Sequence, residues 1–144
     1  MKQDIPDTKS VPAESRIFTL NRQTFEDVIS YIEERCRALG CGEKALSRIS
    51  VSSSEILANI DSYAYENGGE VEITISRSGS RLTITFRDSG APFDPLSVKP
   101  PDVTAPLSER EPGGLGIFIV RKLMSSVRYE YADGQNVLTV EKEL

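Results

Sequence analysis

Glu55 and Asn59 lie four positions apart within a segment whose apolar residues recur at helical spacing, so both project from one side of the predicted helix. An asparagine carbonyl oxygen is a hard ligand suited to Mg²⁺, which takes its other oxygens from waters and phosphates. A carboxylate one turn away can accept a proton from a hydroxyl group held against a γ-phosphate. In isolation such a pair is usually a solvated helix edge. It predicts a metal ligand and a base only together with other motifs.

A second candidate is Asp88, which directly follows a strand-like alternation and stands two residues before Gly90. A carboxylate at a strand end can accept a hydrogen bond from the N6 amine of adenine, and glycine lets the backbone approach the base. The alternative is a simple turn leaving the strand, which aspartate and glycine also favour. We therefore expect either a purine-binding carboxylate or a structural turn here.

The third candidate is a glycine cluster where a proline-rich segment ends and a predicted helix begins. Helix N-termini present free N–H groups and a partial positive charge, so they bind phosphates. The cluster is not a Walker A motif, because the chain lacks Gly-x-x-x-x-Gly-Lys-Ser/Thr. A flexible hinge before the helix is the alternative. The cluster comprises Gly113, Gly114, Leu115 and Gly116.

Composition narrows the chemistry further. The length of 144 residues fits one domain. The net charge of −5 argues against direct nucleic-acid binding. No apolar run approaches the roughly 18 residues of a membrane span. The chain contains no histidine, which removes the commonest general base and a Ser-His-Asp triad. Cys36 and Cys41 are too few for a tetrahedral zinc site. We expect them to be reduced, with one disulfide left open as the alternative.

The elements that must position these candidates follow from periodicity and turn residues. Apolar alternation predicts a first strand and two hairpins, with turns at Ser78-Gly79 and Asp133-Gly134. Helical spacing predicts two amphipathic helices and a third that is apolar almost all round and buried. The sequence therefore predicts an α/β two-layer sandwich, with helices packed on one face of a mixed, mostly antiparallel sheet and water on the other. The predicted strands are 16–20, 71–75, 82–86, 127–131 and 137–140, and the helices are 25–39, 43–65 and 115–124.

Two segments stand apart from this pattern. Residues 1–14 lack an apolar core and are expected to be a flexible leader, so that residues 15–144 form the domain. Residues 91–112 contain six of the eight prolines and little periodic apolar sequence, which predicts a long loop. Because such loops inside compact domains are usually functional, we expect a lid over the site.

Taken in order, the motifs resemble those of the ATP-binding fold shared by DNA gyrase, sensor histidine kinases and related ATPases, the GHKL (histidine kinase-like, or Bergerat) fold. Within it, the chain resembles the small bacterial anti-sigma factors that are serine/threonine protein kinases. The resemblance covers about residue 15 to the C-terminus, and as a set the motifs are highly specific. The matching stretches are 55–60, 63–65, 88–95 and 113–124.

The resemblance implies a role for each candidate and binding of ATP with Mg²⁺. Glu55 matches the family's catalytic base and Asn59 its magnesium ligand. Asp88 matches the adenine-recognising aspartate, with Gly90 beside it. The glycine cluster matches the phosphate-binding turn, and Arg110 matches a lid arginine near the γ-phosphate.

The resemblance also implies a function. The chain is expected to be a cytoplasmic, homodimeric kinase that phosphorylates an anti-sigma antagonist protein and binds a sigma factor in the alternative state. One departure is Tyr63, where many members have histidine; we expect nucleotide binding to survive it. The alternative is a nucleotide-binding module that sequesters a regulator without phosphoryl transfer, against which the intact Glu55 weighs. A histidine-kinase fragment is disfavoured, since the chain has no histidine to phosphorylate and no dimerisation coiled coil.

Overall fold

The structure, a computed structural model, describes residues 10–61, 69–97 and 114–144. Five strands and three helices account for most of them, together with a short 3-10 turn at Pro95–Ser97. The strands are β1 Ser10–Leu20, β2 Gly69–Ser78, β3 Arg81–Asp88, β4 Ser126–Ala132 and β5 Gln135–Glu143; the helices are α1 Phe25–Ala38, α2 Glu43–Asn59 and α3 Gly114–Leu123.

The strands form one sheet in the order β1-β2-β3-β5-β4. Every neighbouring pair is antiparallel. The expected two-layer sandwich is confirmed, but among the described strands the sheet is antiparallel throughout and not mixed. The difference follows from the connections, because β2–β3 and β4–β5 are hairpins and α3 returns the chain to place β5 against β3.

The core lies between the sheet and the helices. Every second side chain of β2 and β3 points inward, and these inward side chains are almost completely buried. The helices contribute apolar residues at three- and four-residue spacing. The fully buried positions include Val28, Ile32, Ile49, Leu57, Val71, Ile73, Ile75, Leu82 and Ile84.

Both hairpin turns have the backbone that their residues favour. Asp133 and Gly134 have φ of 54° and 76°, the pair of positive values that a type I′ turn requires. In the other hairpin Gly79 has φ of 62° and opens a loop formed by Gly79 and Ser80, one residue later than predicted. The sequence therefore located both turns to within one residue.

Two predicted boundaries change. β1 begins at Ser10 and pairs with β2 from Ser10↔Ser78 onward, so residues 10–14, assigned to the leader, belong to the sheet. Residues 1–9 lie outside the described residues. α2 is described as a helix to Asn59, and residues 62–65 of the predicted helix also lie outside.

The prediction that the apolar helix α3 is buried is confirmed for only part of its surface. Ile117 and Val120 are buried, whereas Leu115 is 41% exposed and Phe118 and Ile119 are half-buried. Among the described elements, α3 packs mainly on α2, with smaller contacts to β4 and to the 3-10 turn Pro95–Ser97. Within the described residues, no helix combines the length and apolarity needed to cross a bilayer.

Candidate functional site

The first and third motifs meet where α2 packs on α3. Glu55 is half-buried beside the apolar stripe of α2. Its Oε1 atom lies so close to Gly116 that a Cβ at that position would be 2.7 Å from it, far inside van der Waals contact. The missing side chain of Gly116 therefore makes room for the carboxylate in the first turn of α3. The structure thus brings the predicted base to the predicted phosphate-binding turn.

The first and second motifs line a common pocket. Asn59, one turn beyond Glu55 on α2, borders the same cavity as Asp88 at the end of β3. The rest of the wall is mostly apolar. A pocket with one carboxylate among apolar side chains suits a flat aromatic base that has a polar edge. Its apolar lining comes from Ile56, Ile60, Phe86, Phe93, Pro95 and Leu138.

Asp88 is 4% exposed and accepts two hydrogen bonds, both at Oδ1. One comes from Gly90 N at 3.0 Å, and the other from Asn136 Nδ2 at 3.0 Å. Burial raises the pKa of the Asp88 carboxyl, and these two hydrogen bonds partly oppose that rise. Among the described residues, no hydrogen bond is recorded to Oδ2, so this oxygen is available to accept one from a ligand.

The structure therefore contains features of both interpretations of Asp88, the structural turn and the purine-binding carboxylate. The Gly90 hydrogen bond is a local Asx turn. The carboxylate nevertheless lies in the pocket wall, and a turn alone does not require a buried charge.

Asn136 on β5 is a site residue that the sequence did not reveal. It is 6% exposed, and its Nδ2 donates to Asp88 Oδ1 and to Ala91 O, both at 3.0 Å. Its Oδ1 accepts from Phe93 N at 3.0 Å and from the Tyr129 hydroxyl. Asn136 therefore fixes the orientation of Asp88 and the start of the following loop at once.

A signal for Asn136 exists in the pattern of β5. Leu138 and Val140 point inward, so position 136 also points inward, and an asparagine there needs buried partners. The residue opposite it in the ladder is Asp88. That pairing joins residues 48 positions apart, and periodicity within one strand cannot supply it.

The first part of the predicted lid is folded. Asp94 Oδ1 accepts from Leu96 N at 2.8 Å, and Asp94 O accepts from Ser97 N at 3.2 Å, which closes the 3-10 turn. Arg121 of α3 donates to Leu96 O at 3.4 Å. The expectation of a loop without helix over 91–112 was therefore wrong for Pro95–Ser97, because Asp94 supplies local partners for the backbone. Residues 98–112 and the predicted site residues Arg110 and Gly113 lie outside the described residues.

The pocket is narrow in this structure, with a volume of about 30 Å³. Phe93 and Pro95 form one side of it and belong to the short segment after β3. The carboxylate acceptor of Asp88 and the apolar walls suit a purine with a polar edge.

The described residues contain no grouping of three or more carboxylate, thiol or imidazole side chains that could hold a metal ion. Mg²⁺ commonly binds through one or two protein oxygens and completes its shell with water and substrate phosphates. The Asn59 carbonyl oxygen is a suitable single ligand of that kind.

A two-layer sandwich in which Asn59 and Asp88 line one pocket, and Glu55 of the same helix contacts the first turn of α3, has the features of a nucleotide-binding domain of a recognisable class. The family model for the histidine kinase-like ATPase domain matches residues 18–142, and the chain belongs to this family.

Named relatives agree with this assignment. The chain is similar to serine/threonine-protein kinase BtrW of Bordetella bronchiseptica, at 29% identity over 94 residues, or 64% of this chain and 66% of that protein. It is also similar to serine-protein kinase RsbW of Bacillus cereus, at 27% identity over 133 residues, or 89% of this chain and 79% of that protein. The match to BtrW thus spans slightly less than two thirds of the relative.

A solved structure shares the fold. The chain matches a crystal structure of the RsbU and RsbW domains of a Mycobacterium tuberculosis protein with a TM-score of 0.66 and 14% identity. The match covers 93% of this chain and 33% of the other. At this identity the likeness supports the architecture alone.

Proposed function

We propose that the chain is an ATP-dependent serine/threonine protein kinase that acts as an anti-sigma regulatory factor. It phosphorylates a serine or threonine of an anti-sigma antagonist domain and binds a sigma factor in the alternative state. The observation that carries the proposal is the approach of the Glu55 carboxylate to Gly116. A histidine kinase-like domain that only held nucleotide would not need a carboxylate at this position.

Each residue has a chemical task in this proposal. Asp88 Oδ2 accepts a hydrogen bond from the adenine N6 amine, while the apolar walls contact the ring. The first turn of α3, with Gly114, Leu115 and Gly116, donates backbone N–H groups to phosphate oxygens. Gly113 and Arg110, which lie outside the described residues, are proposed to extend that phosphate site.

Phosphoryl transfer needs a hydroxyl nucleophile and a place for its proton. Glu55 lies at the α3 turn, where it can accept the proton of the acceptor serine or threonine as the oxygen bonds to the γ-phosphorus and ADP leaves. Asn59 would hold Mg²⁺, which neutralises developing charge on the phosphates. We also propose that the protein is a homodimer in the cytoplasm and makes no direct contact with nucleic acid.

The decisive experiment separates transfer from binding. Glu55→Gln keeps the shape of the side chain but cannot accept a proton, so labelled phosphate should not reach purified anti-sigma antagonist domains, while ATP affinity by calorimetry should change less than about threefold. Glu130→Gln, at an exposed position on β4, is the matched control and should transfer normally. Retained transfer by the Glu55 variant would overturn the role of Glu55. ATP binding without transfer by the unaltered protein would favour the sequestering module.

A further inference from the structure

Cys36 and Cys41 flank the turn that ends α1. Both are free thiols, Cys36 completely buried and Cys41 9% exposed. The Cys41 N–H donates to Cys36 O at 3.1 Å, and Gly40 has φ of 91°, which folds the chain back on the helix end. This backbone closure holds residues 36 and 41 next to each other at the end of α1.

The two sulfurs have different surroundings. Arg77 Nη1 donates to Leu39 O at 2.6 Å and lies beside Gly40, so a fixed positive charge stands next to the turn. The neighbouring Cys36 thiol is the main cause that lowers the pKa of Cys41, and Arg77 lowers it further. The neighbouring Cys41, followed by burial, raises the pKa of Cys36. Cys41 is thus the more exposed thiol and the one that ionises more readily.

We propose that Cys36 and Cys41 form a redox-active dithiol that a small-molecule disulfide oxidises to an intramolecular disulfide in the folded protein. The Cys41 thiolate attacks one sulfur of the oxidant, RSSR, forming a mixed disulfide and releasing RS⁻. Cys36 then loses its proton to that RS⁻ and attacks the Cys41 sulfur, which expels a second RS⁻. The two protein sulfurs lose two electrons in total, and the oxidant gains them as RSH and RS⁻.

The bond would tie the last turn of α1 to the residue directly before Gly42, the N-cap of α2. Because the backbone already closes this loop in the reduced state, the link should not require helix movement. It should restrict the unfolded chain and raise the melting temperature by roughly 3–8 °C, an effect that dithiothreitol reverses.

The test uses the full chain without denaturant. Oxidised glutathione should remove both thiols and lower the intact mass by two hydrogens, leaving no glutathione on the protein. The rate should rise in proportion to oxidant concentration, because the folded state itself reacts. A rate that levels off at the rate of global unfolding would overturn the proposal. So would two unreacted thiols or a lasting glutathione adduct.

Single cysteine variants show which of the two sulfurs reacts first with the oxidant. Cys36→Ala should accumulate one glutathione adduct on Cys41, since no second thiol resolves it. Cys41→Ala should stay unmodified, because the Cys36 sulfur is completely buried. Equal modification of both variants would contradict the assigned order of attack. The concentration dependence measured on the unaltered protein decides the proposal even if one variant folds poorly.

Discussion

The carboxylate of Glu55 fills the space that a side chain at position 116 would take. A Cβ on Gly116 would lie 2.7 Å from Oε1 and 3.6 Å from Cβ of Glu55, so a side chain at position 116 would displace the carboxylate while the helices keep ordinary contact. The contact fixes where the proposed base stands relative to the proposed phosphate-binding turn. The proposed base and the helix propensity of α3 therefore make opposite demands on this one position.

Gly116→Ala should separate these demands. Alanine favours the α3 helix by up to about 1 kcal/mol, and the clash falls on the flexible end of the Glu55 side chain, which can rotate away. Thermal stability should therefore be unchanged or slightly higher. Because the base is displaced, kcat for phosphoryl transfer should fall by about 10²-fold or more. Melting curves and transfer rates on the same preparation give both readouts.

Gly42→Ala is the matched control for that experiment. Gly42 also has a negative φ, and a Cβ there would meet no atom within 4 Å. Transfer should stay normal, with a small loss of stability because Gly42 is the N-cap of α2. A similar loss of transfer in both variants would show that a general effect of glycine replacement, and not the Glu55 contact, is responsible.

Asp88→Asn should give a pH-dependent gain in stability. The pKa of Asp88 is raised above 3.8 by folding, so the folded protein keeps a proton that the unfolded chain loses first. The stability that Asp88 contributes is present below about pH 3.8 and is lost as pH rises through the raised folded value. Asparagine keeps the Oδ1 acceptor and carries no charge.

The free energy of unfolding of Asp88→Asn minus that of the unaltered protein should therefore increase with pH across this window and then level off. Urea titrations between pH 4 and 7 measure that difference. ATP affinity should fall, since the variant presents an amide N–H₂ or a weaker acceptor to the adenine amine. A stability difference that does not change with pH would contradict the raised pKa.

Asn136→Ala should destabilise the protein by about 2–4 kcal/mol. The substitution removes the hydrogen bonds that Asn136 makes to the Phe93 N–H, the Tyr129 hydroxyl and the Asp88 carboxylate, which keeps its hydrogen bond from Gly90 N. The exposed fraction of the neighbouring Gln135 is larger, so Gln135→Ala should change stability by less than about 0.5 kcal/mol. Chemical denaturation of both variants tests the assignment, and equal effects would refute the role of Asn136.

The sequence was sufficient to predict those features that depend on a few neighbouring residues. The turn at Asp133 and Gly134 follows from residues that tolerate positive φ, and the β2–β3 hairpin follows from alternation. The spacing of Glu55 and Asn59 predicted that both project from one side of α2, and in the structure Asn59 lines the pocket while Glu55 contacts α3 at Gly116. These features require knowledge of a few neighbouring residues only.

Features that depend on distant parts of the chain were missed. Asn136 acts through its ladder position opposite Asp88, which only the β3–β5 pairing establishes. The exposure of Leu115 depends on which elements pack around α3, and its apolar composition gave no hint of that. The extension of β1 to Ser10 depends on the length of β2, since residues 10–14 carry no strong strand pattern of their own.

Ser52→Ala should stabilise the protein by about 1–2 kcal/mol. Ser52 is 1% exposed on α2, and its hydroxyl is buried without a hydrogen-bond partner among the described residues. Removing the hydroxyl relieves that desolvation cost, and alanine is the better helix former. Ser50, on the same helix, donates to Glu33 Oε2 at 2.7 Å, so Ser50→Ala should gain the same helix propensity but lose a hydrogen bond. Urea midpoints should thus rise for Ser52→Ala and stay level or fall for Ser50→Ala; an equal rise in both would mean that helix propensity alone explains the gain.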